Sequence, residues 1–203
     1  MATTTATATL DGLRLECEGS GMKQPWERVF DKNFVAGTLT RAGLYLLAYE
    51  LLRESIVGRI KSFLCWEIKD GKEVLSPKYI QMLSQHKNDL VASCMWLEQN
   101  RVLSAEDVRS VLNIRAFRND IAHELPAILV DGKRDINTEH VVQICQLLAK
   151  VDRWWIINVE LATDEEYAGQ EVEENEVKSG TMVLMEHLLT TLHPEGHAPA
   201  ASA

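Results

Sequence analysis

Apolar residues recur at spacings of three and four over most of the chain, and this pattern predicts helices. The first predicted helix covers residues 33–66, with Asn33 as its N-cap, and its apolar positions keep helical spacing for about eight turns. The sequence K-D-G-K at 69–72 predicts a turn. A second helix is predicted over residues 76–100, because Ser76-Pro77 places proline at the first helical position.

The third predicted helix, residues 104–126, organises the rest of the chain. Ser104 followed by Asp107 predicts a capping box, which supplies acceptors for the free amides of a helix start. Pro126 is predicted to end the helix. One apolar face lies between them, formed by Val111, Ile114, Phe117 (or Arg118), Ile121 and Leu125.

A fourth helix is predicted over 139–161, capped by Asn137 or Thr138, and a short amphipathic helix over 181–193. The fold class is therefore all-α: an antiparallel bundle of four long helices plus a short C-terminal helix. The remaining segments are predicted to be a mobile N-terminal tail (1–32), an acidic linker (164–180) and a disordered end (194–203), around a helical domain at 33–163.

Polar residues of the third helix form a strip beside its apolar face. Arg115, Asn119 and His123 follow at i, i+4 and i+8, so a helix places them on one side. Arg118 starts about 140° around the axis from His123 and can lean toward the same strip. Ordinary residue frequencies give the fixed order R-N-x-x-x-H in about one chain in a hundred.

At Arg118-Asn119-Asp120-Ile121-Ala122-His123 the chain resembles the HEPN family, small all-α domains of prokaryotic toxin–antitoxin, abortive-infection and RNA-processing systems. The hallmark of the family is an Arg, often followed by a polar residue, with a His a few positions later. The resemblance covers about residues 33–163. It implies a homodimeric, metal-independent endoribonuclease, a toxin or phage-defence effector, in which the Arg and His of two subunits line one cleft. Some family members have lost catalysis or serve as dimerisation modules.

The residue types fit RNA cleavage without a metal. Such cleavage needs a base for the 2′-hydroxyl proton, a cation for the crowded phosphorane and an acid for the departing 5′ oxygen. Arg118 offers a planar fork of donors, and His123 exchanges protons near neutral pH. In the last helical turn the dipole favours imidazolium, which suggests the acid role for His123. Two copies in a dimer supply both acid and base.

Supporting roles follow from position. Asn119, one turn before His123, can hold the imidazole or contact the phosphate. Arg115, Lys133 and Arg134 are predicted to bind RNA phosphates.

A structural interpretation of the same residues stays open. His123 can cap backbone carbonyls, and the arginines can pair with carboxylates on their own helix, namely Glu106, Asp120 and Glu124. On the first helix, Glu50 and Glu54 are predicted to face solvent. An acidic residue supports the site in some HEPN members, but no motif assigns that role to either of them.

Other aromatic and histidine residues are predicted to be structural. Tyr45 and Tyr49 have helical spacing and are predicted to belong to the core. Trp154 and Trp155 are also predicted to pack in the core, in preference to a subunit contact, which comes second, or to base stacking. Two histidines in polar surroundings are predicted to be exposed, namely His86 and His140.

Composition limits the partners and the compartment. The net charge of −9 includes seven carboxylates at 164–176, so the rest of the chain is near −2 and allows a local basic cleft but no broad nucleic-acid surface. The four cysteines have no C-x-x-C spacing, so neither a zinc site nor a disulfide framework is expected. No cofactor, signal peptide or membrane span is expected, and the predicted location is the cytoplasm.

Two hypotheses result. The first is a metal-independent endoribonuclease with Arg118 and His123 catalytic and Asn119 supporting. The second is a non-catalytic helical module in which the acidic segment and the last helix engage a partner such as a cognate antitoxin.

Overall fold

The computed structural model describes residues 25–131, 136, 138–167 and 172–192 of the 203-residue chain. Helices make up 81% of the described residues and strands 5%, which confirms the all-α fold class. None of the helices in these ranges is long and apolar enough to cross a membrane. Residues 1–24 and 193–203 lie outside the described residues, so the predicted tails stay predictions.

The first long helix is continuous but changes its winding near the end. Helix α1 (Lys32–Arg53) continues through a π-helical turn (Glu54–Gly58) into α2 (Arg59–Phe63), after a 3-10 turn at Pro25–Phe30. The N-cap is Asp31 rather than the predicted Asn33. Its carboxylate accepts hydrogen bonds from the backbone N–H groups of Asn33 (2.9 Å) and Phe34 (3.2 Å).

A β-hairpin follows where the end of the first helix was predicted. Strands β1 (Cys65–Lys69) and β2 (Lys72–Leu75) pair antiparallel around the predicted turn, in which Asp70 (φ 51°) and Gly71 (φ 72°) both have left-handed backbone. Two successive left-handed residues match the twist of a hairpin. The turn prediction is therefore confirmed, whereas the helix ends at Phe63 and not near Trp66.

The predicted second helix is two helices, α3 (Pro77–Ser84) and α4 (Asp89–Gln99). Ser76 caps α3 by accepting from the Tyr79 amide at 3.2 Å, as the Ser-Pro start predicts. Asn88 caps α4 by accepting from the Val91 amide at 3.2 Å. An asparagine side chain that binds the backbone in this way competes with helix continuation, so the single-helix prediction was wrong.

Helix α5 (Ala105–Asp131) is the predicted motif helix. The capping box is confirmed: the Ser104 hydroxyl accepts from the Asp107 amide (3.1 Å), and the Asp107 carboxylate accepts from the Ser104 amide (2.7 Å). Pro126 lies inside the helix, so the prediction that it ends the helix was wrong. The exposed ring of Pro126 faces outward, and the last turn is fastened by Ile128, which is buried.

The remaining helices lie close to their predicted positions. Helix α6 (Thr138–Trp155) continues through a π-helical turn (Ile156–Glu160) into α7 (Leu161–Thr163), and α8 (Gly180–Leu192) is the predicted short helix. Two 3-10 turns, Glu165–Tyr167 and Glu174–Glu176, lie in the acidic segment. The division into domain, linker and tails stays a prediction.

Helix α6 contacts both of the helices that carry the site. Phe117 of α5 packs against His140 in the first turn of α6, with ring centroids 4.8 Å apart, and Lys150 donates to Asp107 at 2.5 Å. Since later residues of α6 meet earlier residues of α5, these helices run antiparallel. Tyr45 of α1 also contacts His140, at 6.3 Å between ring centroids.

A buried carboxylate joins α6 to the first helix and to α8. Asp152 accepts hydrogen bonds from the hydroxyl of Ser55 (2.5 Å) and from that of Ser179, the residue before α8. Together with the contact of Tyr45 and His140, this contact shows that α1 and α6 run in the same direction. The helices enclose one core, whose largest fully buried side chains include Tyr45, Leu52, Ile56, Ile60, Leu90, Leu97, Ile114, Ile121, Ile144 and Leu148.

Candidate functional site

Arg118 crosses from α5 to α1, where two neighbouring residues hold it. Its Nη2 donates to Oε1 of Glu50 at 2.8 Å, and its guanidinium carbon lies 5.5 Å from the centre of the Tyr49 ring. Tyr49 is buried, whereas the Glu50 side chain is half exposed. The prediction that Glu50 simply faces solvent is incomplete, because its carboxylate fixes one edge of the guanidinium. The side chain of Arg118 is therefore ordered at the boundary between core and solvent.

Three arginines lie near enough to the Tyr49 phenol for their charges to act on its pKa, and we call Arg53, Arg115 and Arg118 the arginine cluster. Burial and, to a smaller extent, the Glu50 charge raise the pKa of Tyr49. The positive charges of Arg115, Arg53 and Arg118 act in the opposite direction. Because three guanidinium groups act on the pKa of one phenol, positive charge is concentrated locally in this acidic protein.

The charge of the arginine cluster is only partly compensated. Arg118 pairs with Glu50, and Arg53 pairs with Asp89 of α4 at 2.5 Å. Within the described ranges, Arg115 has no ion-pair partner, and the buried Nε of Arg118 has no acceptor. An unpaired buried donor next to an unpaired cation favours an anionic ligand. A phosphate group has the charge and the acceptor oxygens that this position lacks.

His123 lies on the same helix, five residues beyond Arg118, and its side chain is exposed. No hydrogen bond, ion pair or ring contact joins His123 to another described residue. Asn119 is half buried between these two residues and makes no side-chain hydrogen bond to any described residue. Because α5 continues to Asp131, His123 is two turns from the helix end, so the prediction that it lies in the last helical turn was wrong.

The structure brings together only some of the predicted site residues. Arg115 and Arg118 both act on the pKa of the Tyr49 phenol, whereas the side chain of His123 is exposed on the surface of α5. Lys133 and Arg134 lie outside the described residues, and their predicted phosphate contacts stay predictions.

Three contributors on α1 were not predicted to belong to the site: Tyr49, Glu50 and Arg53. Glu50 lies 68 residues before Arg118 in the chain, and no local pattern in the sequence connects them.

A second aromatic group packs directly behind the site. Tyr45 donates a hydrogen bond to the backbone oxygen of Ile114 at 2.9 Å, and its ring meets Phe117 edge to face at 5.1 Å. His140 packs against Phe117, is half buried and leaves its Nδ1 buried without a described partner. The prediction that His140 is exposed was wrong, because the first turn of α6 lies against α5.

The other aromatic predictions are confirmed. Tyr45 and Tyr49 are core residues. Trp155 is buried and stacks on Trp96 with an interplanar angle of 10°, and Trp154 meets the same ring edge to face. Their packing against each other is that of a core and leaves no stacked pair open for a base.

Comparisons with known proteins do not assign the chain to a family. Across the described ranges, no group of three or more His, Cys, Asp or Glu side chains is arranged to hold a metal ion. No protein-family model matches the chain, and neither a curated protein nor a solved structure is significantly similar to it. Any functional assignment therefore depends on the residues and contacts described above.

Proposed function

We propose that this protein is a metal-independent endoribonuclease of the HEPN type, with Arg118 and His123 as its catalytic residues. In this proposal it is a cytoplasmic homodimer with a HEPN-like helical bundle, and it acts as a toxin or phage-defence effector. The observation that carries the proposal is the arginine cluster around Tyr49, in which Arg118 keeps an unpaired buried donor. Nucleic-acid backbones are the polyanions that such a position selects.

Arg118 is suited to the phosphate because its orientation is already fixed. The Tyr49 ring supports one face of the guanidinium, and Glu50 holds one of its edges. The donors other than the buried Nε remain for phosphate oxygens, and a planar guanidinium can bind two oxygens at once. Arg115 adds a second positive charge near the same phenol. A cation held in place before the reaction stabilises the developing charge without reorganisation.

His123 is the proton-transfer residue of the proposal. Its exposed imidazole lies on the same helix as Arg118 and is free of contacts to the described residues. One histidine does not readily serve as both base and acid in one turnover, so a second copy of the chain supplies the other imidazole. Asn119, between the two catalytic residues, orients the ring or contacts the phosphate, and Lys133 and Arg134 extend the phosphate contacts.

One observation favours a second candidate function, a non-catalytic HEPN-like module for dimerisation or for binding a partner such as an antitoxin. The ion pair of Arg118 with Glu50, together with the Tyr49 contact, already links α5 to α1. In this alternative, Arg118 has a structural role. In that case the replacement of Arg118 lowers the stability of the protein, and neither the wild type nor the variant cleaves RNA.

RNA cleavage in EDTA separates the two candidates. We compare the wild type with Arg118→Lys and His123→Ala, using Arg109→Lys and His86→Ala as controls, since Arg109 and His86 are exposed and belong neither to the arginine cluster nor to the R-N-x-x-x-H motif. Loss of the histidine should slow cleavage about 10²–10⁴-fold. Loss of the guanidinium fork should slow it about 10²–10³-fold. Equal cleavage by all five proteins, or none by any of them, would rule out the enzyme.

A further inference from the structure

One face of α1 points away from the core, and among the described residues its one cross-helix partner is Arg118, which binds Glu50 near the end of the face. Successive exposed residues on this face are four and three positions apart in turn, so they form a straight line along the helix, which we call the seam. The seam consists of Ala36, Thr40, Gly43, Leu47, Glu50 and Glu54. At its centre, a Cβ added to Gly43 would meet nothing within 4 Å. Two leucines on either side of this glycine, Leu39 and Leu47, are 45% and 41% exposed.

We propose that this face binds the same face of a second copy, with the two α1 helices antiparallel and the two-fold axis at Gly43. In such a pair, residues at equal distances from Gly43 oppose each other. Leu39 and Leu47 both lie four residues from Gly43, so each leucine of one copy meets a leucine of the other. The glycine has no side chain to hold the helices apart where they are closest. The pairing therefore buries four exposed leucines around the axis.

Two charged residues, Lys32 one turn before the seam and Glu54 at its other end, select the same arrangement. Lys32 and Glu54 each lie eleven residues from Gly43, so the lysine of one copy faces the glutamate of the other, twice per dimer. Both residues are exposed, and neither has an ion-pair partner among the described residues. A parallel pair would instead place lysine on lysine and glutamate on glutamate. Self-complementary charge on an apolar face fits a second copy of this chain.

The same face borders the candidate site. Glu50, which holds Arg118, belongs to the seam and lies seven residues from Gly43, about 10 Å along the helix. In the antiparallel pair it faces Ala36 of the other copy. The arginine cluster then lies at the edge of the dimer contact. This last step rests on the proposed function, whereas the pairing does not.

Cysteine cross-linking tests the position of the axis. Gly43→Cys places two thiols at the axis, within the roughly 7 Å between Cα atoms that a disulfide tolerates, so mild oxidation should give a covalent dimer. Leu39→Cys is the matched control, because its two copies lie eight residues apart along the pair, about 12 Å. Equal cross-linking of the two variants, or none with Gly43→Cys, would overturn the arrangement.

A charge exchange tests the pairing without cysteines. By sedimentation velocity, Lys32→Glu and Glu54→Lys should each raise the dimer dissociation constant about tenfold, since each alters two ion pairs. The double variant should restore the wild-type value, and Lys87→Glu in an exposed loop should leave it unchanged. A monomeric wild type, or single variants that dimerise normally, would contradict the proposal. If the single variants dimerise normally and the wild type cleaves RNA, only the pairing fails, whereas a dimer that does not cleave RNA removes only the proposed function.

Discussion

The buried Asp152 carboxylate gives the sharpest prediction about stability, because three parts of the chain meet there. It is 1% exposed and accepts hydrogen bonds from the hydroxyls of Ser55 and Ser179, with Nε of Arg59 at 3.6 Å. Ser179 also caps α8 by accepting from the Met182 amide at 3.0 Å. Replacement of Asp152 by alanine therefore affects the first helix, α6 and the docking of α8 together.

We expect Asp152→Ala to lower the free energy of unfolding by about 2–3 kcal/mol. Two buried hydroxyls lose their acceptor, and each unsatisfied buried group costs about 1–3 kcal/mol. The variant also removes a carboxylate that is costly to keep out of water, which offsets part of this loss. Arg59 keeps its other partner, Glu160, at 2.7 Å. For a chain of this size the unfolding midpoint should fall by roughly 4–12 °C.

Urea unfolding followed by tryptophan fluorescence measures this change, since Trp155 lies three residues from Asp152. Glu160→Gln is the control, because it removes the other partner of Arg59 at an exposed position and should cost less than about 1 kcal/mol. Ser179→Ala should cost about 1 kcal/mol and speed hydrogen exchange mainly in α8. If Asp152→Ala costs no more than Glu160→Gln, Asp152 does not join these elements as described.

Three further predictions concern pH, helix continuity and RNA binding. Burial raises the pKa of Cys94 to about 12 and of Cys145 to about 11, from 9.0, so the unfolded chain loses these protons first. The contribution of these two thiols to stability should therefore be constant below about pH 9 and be lost above it, so urea unfolding should show stability falling above pH 9, and a rise there would contradict this sign. Pro126→Ala should raise the unfolding midpoint, because proline inside α5 removes a helical hydrogen bond, whereas a helix that ended at Pro126 would gain nothing. Glu50→Gln should tighten the binding of labelled RNA about two- to fivefold, because it removes the charge that competes with phosphate for Arg118. Fluorescence anisotropy in EDTA measures this change. Weaker binding would show instead that Glu50 is needed to hold the guanidinium.

Local signals were sufficient for much of the fold. The capping box of Ser104 and Asp107 and the Ser76-Pro77 start both act within one helical turn, so the sequence predicts them directly. Residues 138–163 and 180–192 are helical close to where the apolar spacing predicts. These features do not depend on any distant contact.

Features that depend on distant contacts were missed. The local preference of proline predicts that a helix ends at Pro126, but α5 continues past it. The last turn of α5 is held against the core by the buried side chain of Ile128. The break between α3 and α4 depends on whether Asn88 turns its side chain to the backbone, which apolar spacing does not reveal.

The site was predictable only on the motif helix. The pattern that contains Arg118 and His123 is local, whereas the carboxylate that holds Arg118 comes from α1, 68 residues away. The half-buried position of His140 likewise results from the packing of α6 against α5. Contacts of this kind are set by tertiary packing, and one sequence does not specify them.

The chemistry of the RNA ends tests the central claim most directly. A mechanism in which a base takes the 2′-hydroxyl proton and an acid protonates the 5′ oxygen leaves a 2′,3′-cyclic phosphate and a 5′-hydroxyl. We predict these ends after incubation of the wild type with RNA in EDTA, and neither of them with His123→Ala. Intact RNA with the wild type, or the same ends from His123→Ala, would contradict the account.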